Sequence, residues 1–172
     1  MSDLRRVEDF SVGASDTPAR IAEAMLRAGG FAGRSFAEGV QAVAGMWSDP
    51  DARIMMSFPA ALMATGMRGV IVQMLRERLV DLVVTTCGTL DHDLARTFGN
   101  YYEGDFLLDD EEVERKGYHR LGSVLVPKKD YGELVEEKMQ GILEELYSGG
   151  VRRISTSELT WEIGKRVDDE SS

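Results

Sequence analysis

The residues best placed to do chemistry lie in 82-LVVTTCGTLDHDLARTFGNYYEGDF-106. An apolar, β-branched run ends in Thr85, Thr86, Cys87 and Gly88, and Asp91, His92 and Asp93 follow. In an open α/β sheet, ligands sit outside the carboxyl ends of the strands. Two hydroxyls, a glycine that admits close backbone approach and the N-terminus of the next helix suit a phosphate or a ribose at such a place. The same residues also suit a plain strand-to-helix turn, with the threonines as β-formers and Asp91 as the helix N-cap. Spacing alone leaves both readings open.

Other candidates carry less. The sequence contains neither G-x-G-x-x-G nor G-x-x-x-x-G-K-[ST], the glycine patterns that cradle dinucleotides and nucleoside triphosphates. Gly66 and Gly69 fall inside an expected helix and read as positions of close helix packing. Adjacent helical residues point in different directions, so Asp91, His92 and Asp93 do not form one metal site, and His119 is remote in sequence. His92 has the chemistry of an acid or base near neutral pH, and equally that of an ordinary helix-surface residue. Cys87, the single cysteine, reads as a small buried side chain rather than a nucleophile. The acidic run 109–114 reads as a solvated helical face, and the methionines read as core.

The elements that must position these residues follow from periodicity. An N-terminal arm over 1–16 precedes a helix that Thr17 caps, that Pro18 opens and that Gly29 and Gly30 close. A second helix is predicted from Ser35 to Trp47, with Val40, Val43 and Trp47 on one face. A strand is predicted over 52–58, a long helix over 59–79, and a strand over 79–86 whose continuous apolar run suits burial on both faces of a parallel sheet. Strand, helix and strand make a βαβ unit. A short helix over 90–99, a connector with a helical acidic piece over 101–117, and an extended segment over 119–127 come next. An amphipathic helix spans 128–150, with Leu134, Met139, Ile142, Leu143 and Leu146 inward and Gly149 as its cap. Ser155 and Glu158 have capping-box spacing at the head of a last helix over 155–167, which runs into DDESS. Residues 17–172 therefore read as one α/β domain. Its Rossmann-like parallel sheet is flanked by helices and has too few strands to form an independent core, so a second chain is expected to complete it.

Composition excludes several classes. The chain has 172 residues, 43% of them hydrophobic, and a formal net charge of −10. That acidity argues against non-specific nucleic-acid binding and against attraction to an anionic membrane. The first residues lack the apolar core of a secretory signal, no window has the length and apolarity of a membrane span, and one cysteine cannot form an internal disulfide framework. A cytoplasmic location is the resulting expectation.

Several segments together resemble deoxyhypusine synthases. The stretch 79–106 is similar to that family's strand ending in Thr-Thr-Ala-Gly-Gly, its acidic helix and its Tyr-x-Gly-(Asp/Glu)-Phe corner. HRLGSVLVPKKDY resembles the Arg-x-Gly-Asn-x-Leu-Val-Pro segment, TSELTWEIGKRVDDESS the helix with Gly-Lys, and GGFAGRSFAEGVQAVAGM the early helices. The resemblance runs from about Val7 onward. It implies an NAD-dependent enzyme that oxidises spermidine and transfers its aminobutyl group to a lysine of translation initiation factor 5A. It also implies a tetramer with active sites at a subunit interface.

Carried over by motif, NAD contacts fall on Thr85, Thr86, Cys87, Gly88, Asp91 and His92. A second NAD-contacting segment of the family, Thr-Ser-Asn-x-x-x-Ser-Gly, reads here as 59–66, where Thr65 and Gly66 keep its character while Ala60 and Ala61 carry no side-chain donors. Thr89 stands where the family has a second glycine and His92 where it has an acid. In the family, the imine-forming lysine, a glycine-rich NAD loop and the spermidine-binding residues belong to the half that follows. The chain is therefore expected to be the N-terminal part of a synthase that works in a hetero-oligomer with a chain supplying that half. The other readings are a non-catalytic paralogue that supports an active subunit, and a stand-alone NAD- or polyamine-binding module.

Overall fold

In the computed structural model, which describes residues 4–167, Thr17 accepts a hydrogen bond from the Arg20 N–H and Pro18 opens helix α1, Pro18–Ala28. Gly29 and Gly30, both at φ 71°, end it in a conformation that side-chain-bearing residues resist. Helix α2, Phe31–Ser48, begins four residues before its expected start and packs on α1. The arm is tied to α1 by a backbone bond from Glu8 to the Arg27 carbonyl and by the Glu8–Arg27 ion pair. On α2 only Ala37 is buried, and the face holding Val40, Val43 and Trp47 is exposed. The chain divides into two compact units between Ile54 and Met55, and these elements make up the first.

The second unit opens with the βαβ unit that the sequence predicts. Strands β1, Met55–Phe58, and β2, Leu82–Thr85, pair in parallel, with Met55 opposite Leu82 and Phe58 opposite Thr85. The expected long helix between them is broken: a 3-10 turn, Ala60–Ala64, precedes helix α3, Met67–Arg76, and Thr65 and Gly66 form the joint. Thr65 causes the break, because its hydroxyl donates to the Leu62 carbonyl and accepts from the Met67 N–H, which ends one turn and starts the next. Gly66 and Gly69 have no heavy atom near the position of an added Cβ, so they do not serve close packing.

Strand β2 also departs from expectation. It is shorter than 79–86, and its face with Leu82 and Val84 is 53% and 52% exposed rather than buried.

Helix α4, Gly88–Phe98, starts directly at the strand end, and Asp91 lies in its first turn instead of capping it. Beyond it the segment 119–127 is not a single extended piece. It is a hairpin of β4, Tyr118–Leu121, and β5, Val124–Pro127, turned by Gly122 (φ 62°) and Ser123. Strand β3, Tyr102–Glu103, pairs with the other edge of β5 to complete a three-stranded antiparallel sheet. The acidic run forms α5, Asp110–Arg115, whose exposed carboxylates include an Asp110–Arg120 ion pair.

A π-helical turn, Lys129–Glu133, leads into α6, Leu134–Ser148, where Leu146 is buried and Leu143, expected inward, is exposed. Ser155 and Glu158 do form a reciprocal capping box at the head of α7, Thr156–Val167. Leu94, Ile163 and Val167 form the buried core here, with Leu90, Val135, Met139, Ile142 and Leu159 packed around them. Of the methionines, Met63 is buried while Met46, Met55 and Met67 are exposed, so the reading of methionine as core holds only in part. The expected acidic tail 168–172 and the first three residues of the arm lie outside the described residues.

Gly99 ends α4 where Asp130 crosses it. A Cβ there would stand 2.7 Å from the Asp130 Cβ and 3.0 Å from the Ala95 carbonyl. The Gly99→Ala variant is therefore predicted to lose about 1–3 kcal/mol of stability, read as a lower urea midpoint.

Candidate functional site

The parallel strands end side by side, and their carboxyl ends meet the N-terminus of α4. Thr85 donates to the Phe58 carbonyl at 2.7 Å and shares a 2.6 Å hydroxyl contact with buried Thr89. The Thr86 hydroxyl accepts from the Ala60 N–H at 3.1 Å. Both threonines thus clamp the end of β1 and the start of the 3-10 turn onto the end of β2. Gly88 allows that closure, because a Cβ at this position would stand 3.0 Å from the Ala60 Cβ.

Two arginines hold the neighbouring elements in place. Arg96 donates to the carbonyls of Met63 and Thr65, which fixes the 3-10 turn and its joint against α4. Buried Arg68 of α3 donates to the Asp93 carboxylate at 2.6 Å and to the Thr97 hydroxyl at 2.7 Å. Burial, then the neighbouring Arg68, lowers the Arg96 pKa from its ordinary value.

Asp91, His92 and Asp93 do point apart, as their helical spacing requires. Asp93 turns to Arg68, Asp91 stands close enough to Tyr131 to help raise its phenol pKa after burial, and His92 lies between two tyrosines. Its Nδ1 is 2.8 Å from the Tyr101 hydroxyl, and its ring stacks on Tyr131 at 5.1 Å. Tyr101 comes from the corner after α4 and Tyr131 from the π-helical turn, which Asp130 ties to the Asn100 N–H. Among the described residues no cluster of acids, histidines and cysteine has the arrangement of a metal site.

The electrostatics follow from partial burial. Desolvation raises the Tyr101 pKa well above the usual phenol range, with Tyr131 adding to it, so this hydroxyl stays protonated. Desolvation lowers the His92 pKa; Asp91 opposes that shift and Arg96 reinforces it. A neutral imidazole between two protonated phenols offers hydrogen-bonding groups and an aromatic face rather than a fixed charge. Since the unfolded chain binds the His92 proton more readily, this group's stabilisation is fully present above pH 6.5 and is lost as pH falls from 6.5 through the lower folded value. The prediction is that His92→Asn flattens the acid side of the stability profile measured by urea unfolding between neutral and mildly acidic pH.

The structure therefore brings together Thr85, Thr86, Cys87, Gly88 and the 3-10 turn, with Thr65 at its far end, and places Asp91 and His92 along the same helix. Cys87 is exposed rather than a buried filler. The threonine side chains are engaged within the chain, so a ligand here would meet mainly the backbone of the α4 N-terminus and the exposed Thr86–Cys87 turn. Sequence reasoning missed Arg68, Arg96, Tyr101 and Tyr131 as organisers of the site. Tyr101 stood inside a quoted motif, and a charged residue on the apolar period of α3 was the signal for Arg68.

Comparison with known proteins identifies the family. The family model described as deoxyhypusine synthase matches residues 20–172. A protein named probable deoxyhypusine synthase from Picrophilus torridus is 42% identical over 166 residues, covering 96% of this chain and 53% of the relative. One of the same name from Ignicoccus hospitalis is 42% identical, covering 96% of this chain and 51% of its own length. A crystal structure whose name assigns it to a deoxyhypusine synthase from Entamoeba histolytica shares the fold at a TM-score of 0.59 and 15% identity, covering 96% of this chain and 56% of that one. The chain spans about half the length of the curated relatives it matches.

Proposed function

This chain belongs to the deoxyhypusine synthase family, and from that premise we propose that it is the N-terminal part of an NAD-dependent aminobutyl transferase of hypusine biosynthesis. In this reading it acts in the cytoplasm with a companion chain that supplies the lysine-bearing half. Spermidine is the aminobutyl donor and a lysine of translation initiation factor 5A is the acceptor. The observation that carries the reading is the match of nearly the whole chain to the family over about half of the relatives' length. The bare apolar face of β2 supports a partnered protein over a stand-alone binding module.

NAD is assigned to the strand-end turn. Thr86, Cys87 and Gly88 would hold it through their backbone, with the positive end of α4 facing its phosphates. Bound there, NAD supplies the hydride acceptor for oxidising the amine. The chain's own residues do the positioning: Thr85 and Thr86 lock the turn, Arg96 fixes the segment carrying Thr65, and Asp91 and His92 line the adjoining helix face. Asp91 would attract a cationic amine, and His92 would donate or accept a hydrogen bond without competing charge at neutral pH.

Native mass spectrometry of the protein isolated from its own cells tests this reading. A co-purifying chain that carries the second half of the family supports it. A full-length active synthase as the partner would favour a non-catalytic supporting subunit, and a chain found alone would contradict both.

A further inference from the structure

The two tyrosines beside His92 come from segments that one carboxylate joins. Asp130, in the π-helical turn, accepts from the Asn100 N–H at 3.2 Å, so the residues that follow these two, Tyr131 and Tyr101, arrive together at α4. Gly99 admits the approach, because it carries no Cβ where Asp130 crosses. Turns of this kind are rare and recur at functional sites. Here the turn lays the Tyr131 ring on the imidazole with 28° between the planes, and the Tyr101 ring meets it edge-on at 88°. One ring thus fixes the plane of the imidazole, and the hydroxyl of the other fixes one of its nitrogens.

The direction of the bond between Nδ1 and that hydroxyl decides what His92 offers. Tyr101 is half-buried, and this nitrogen is the one hydrogen-bond partner of its hydroxyl among the described residues. If Nδ1 carried the proton, the phenol hydrogen would lose its acceptor in a desolvated place. A phenol is also the better proton donor, and a neutral imidazole nitrogen the better acceptor. Desolvation keeps this phenol protonated, so its hydrogen is available to donate. The ring proton then lies on Nε2, which has no partner among the described residues and is not sealed from solvent. We infer that Tyr101 and Tyr131 are positioning residues that hold His92 as its Nε2–H tautomer, so that α4 presents a neutral hydrogen-bond donor to an acceptor oxygen of NAD. The inference rests on the functional reading above and assigns the polarity of that contact. A carboxylate at this place could only accept, and an imidazolium would repel the cationic amine that Asp91 attracts.

The chain has two histidines, so ring nitrogen NMR of the full chain resolves them, and His119→Gln assigns the signals of His92. The expected result at neutral pH is the pattern of the Nε2–H tautomer. Tyr101→Phe keeps the ring and removes the hydroxyl; it should relax His92 toward the tautomer mixture of free imidazole, with an unchanged circular dichroism spectrum. Tyr131→Phe keeps the stack and should leave the tautomer as in the parent. NAD titrated into the chain, expressed with its companion, should bind about tenfold more weakly to Tyr101→Phe, the effect of weakening one hydrogen bond. An Nδ1–H pattern in the parent, or a Tyr101→Phe spectrum identical to the parent's, overturns the positioning. A changed tautomer with unchanged NAD affinity overturns the donor's role toward the ligand. A parent that shows the expected tautomer and binds no NAD overturns the cofactor assignment of the functional reading, and that role with it, while the positioning stands.

Discussion

Replacing Arg68 with leucine is expected to cost about 3–5 kcal/mol, enough to leave much of a marginally stable chain unfolded. Arg68 is 6% exposed, and its guanidinium serves the Asp93 carboxylate and the Thr97 hydroxyl together. The loss comes less from the pair's own attraction than from the partly buried Asp93 left without its cation. Replacing both residues with leucine should therefore recover part of the loss, whereas simple additivity would deepen it. Urea unfolding of Arg68→Leu, Asp93→Leu and the double variant decides between these outcomes. Because Arg68 joins α3 to α4, the single variant should also loosen the strand-end turn, seen as faster amide exchange at Thr86 to Gly88.

Leu94→Ala is the second change with a large expected effect, about 2–5 kcal/mol. Leu94 is 2% exposed and lies between α4 and the buried Ile163 and Val167 of α7. Truncation leaves a cavity that two rigid helices cannot collapse into. Leu94→Met, close in volume, should stay within about 1.5 kcal/mol of the parent protein. Thermal unfolding of both variants checks the difference. Loss of this contact frees the helix that carries Gly88, Asp91 and His92, so stability and ligand binding should fall together.

The strand end and its helix were readable because their signals are local. A β-branched run followed by Thr-Thr-Cys-Gly marks a buried-type strand that stops, and Ser155 with Glu158 marks a helix start. The hairpin was not readable in the same way. Gly122-Ser123 is a two-residue turn inside one short apolar stretch, without the Asn-Gly signal that would divide it. The expected helix over 59–79 kept its apolar period across Thr65, and only the hydroxyl's bonds to the backbone on either side reveal the break.

The site divides along the same line. Thr85, Thr86 and Gly88 are neighbours in sequence, and their proximity follows from one strand. The partners of His92 come from a separate corner and a π-helical turn, and the carbonyls that Arg96 holds belong to the preceding βαβ unit. Exposure also escaped a reading by pattern. The run 79–86 has the composition of a strand covered on both faces, and in this chain one of those faces is bare.

The central claim is that this chain is one part of a two-chain synthase. The most direct measurement supplies NAD, spermidine labelled in its aminobutyl group and translation initiation factor 5A to this chain, to the companion half and to their complex. The account predicts that label reaches a lysine of the factor only when both chains are present. Label transferred by this chain alone, or none from a stable complex of the two, would contradict it.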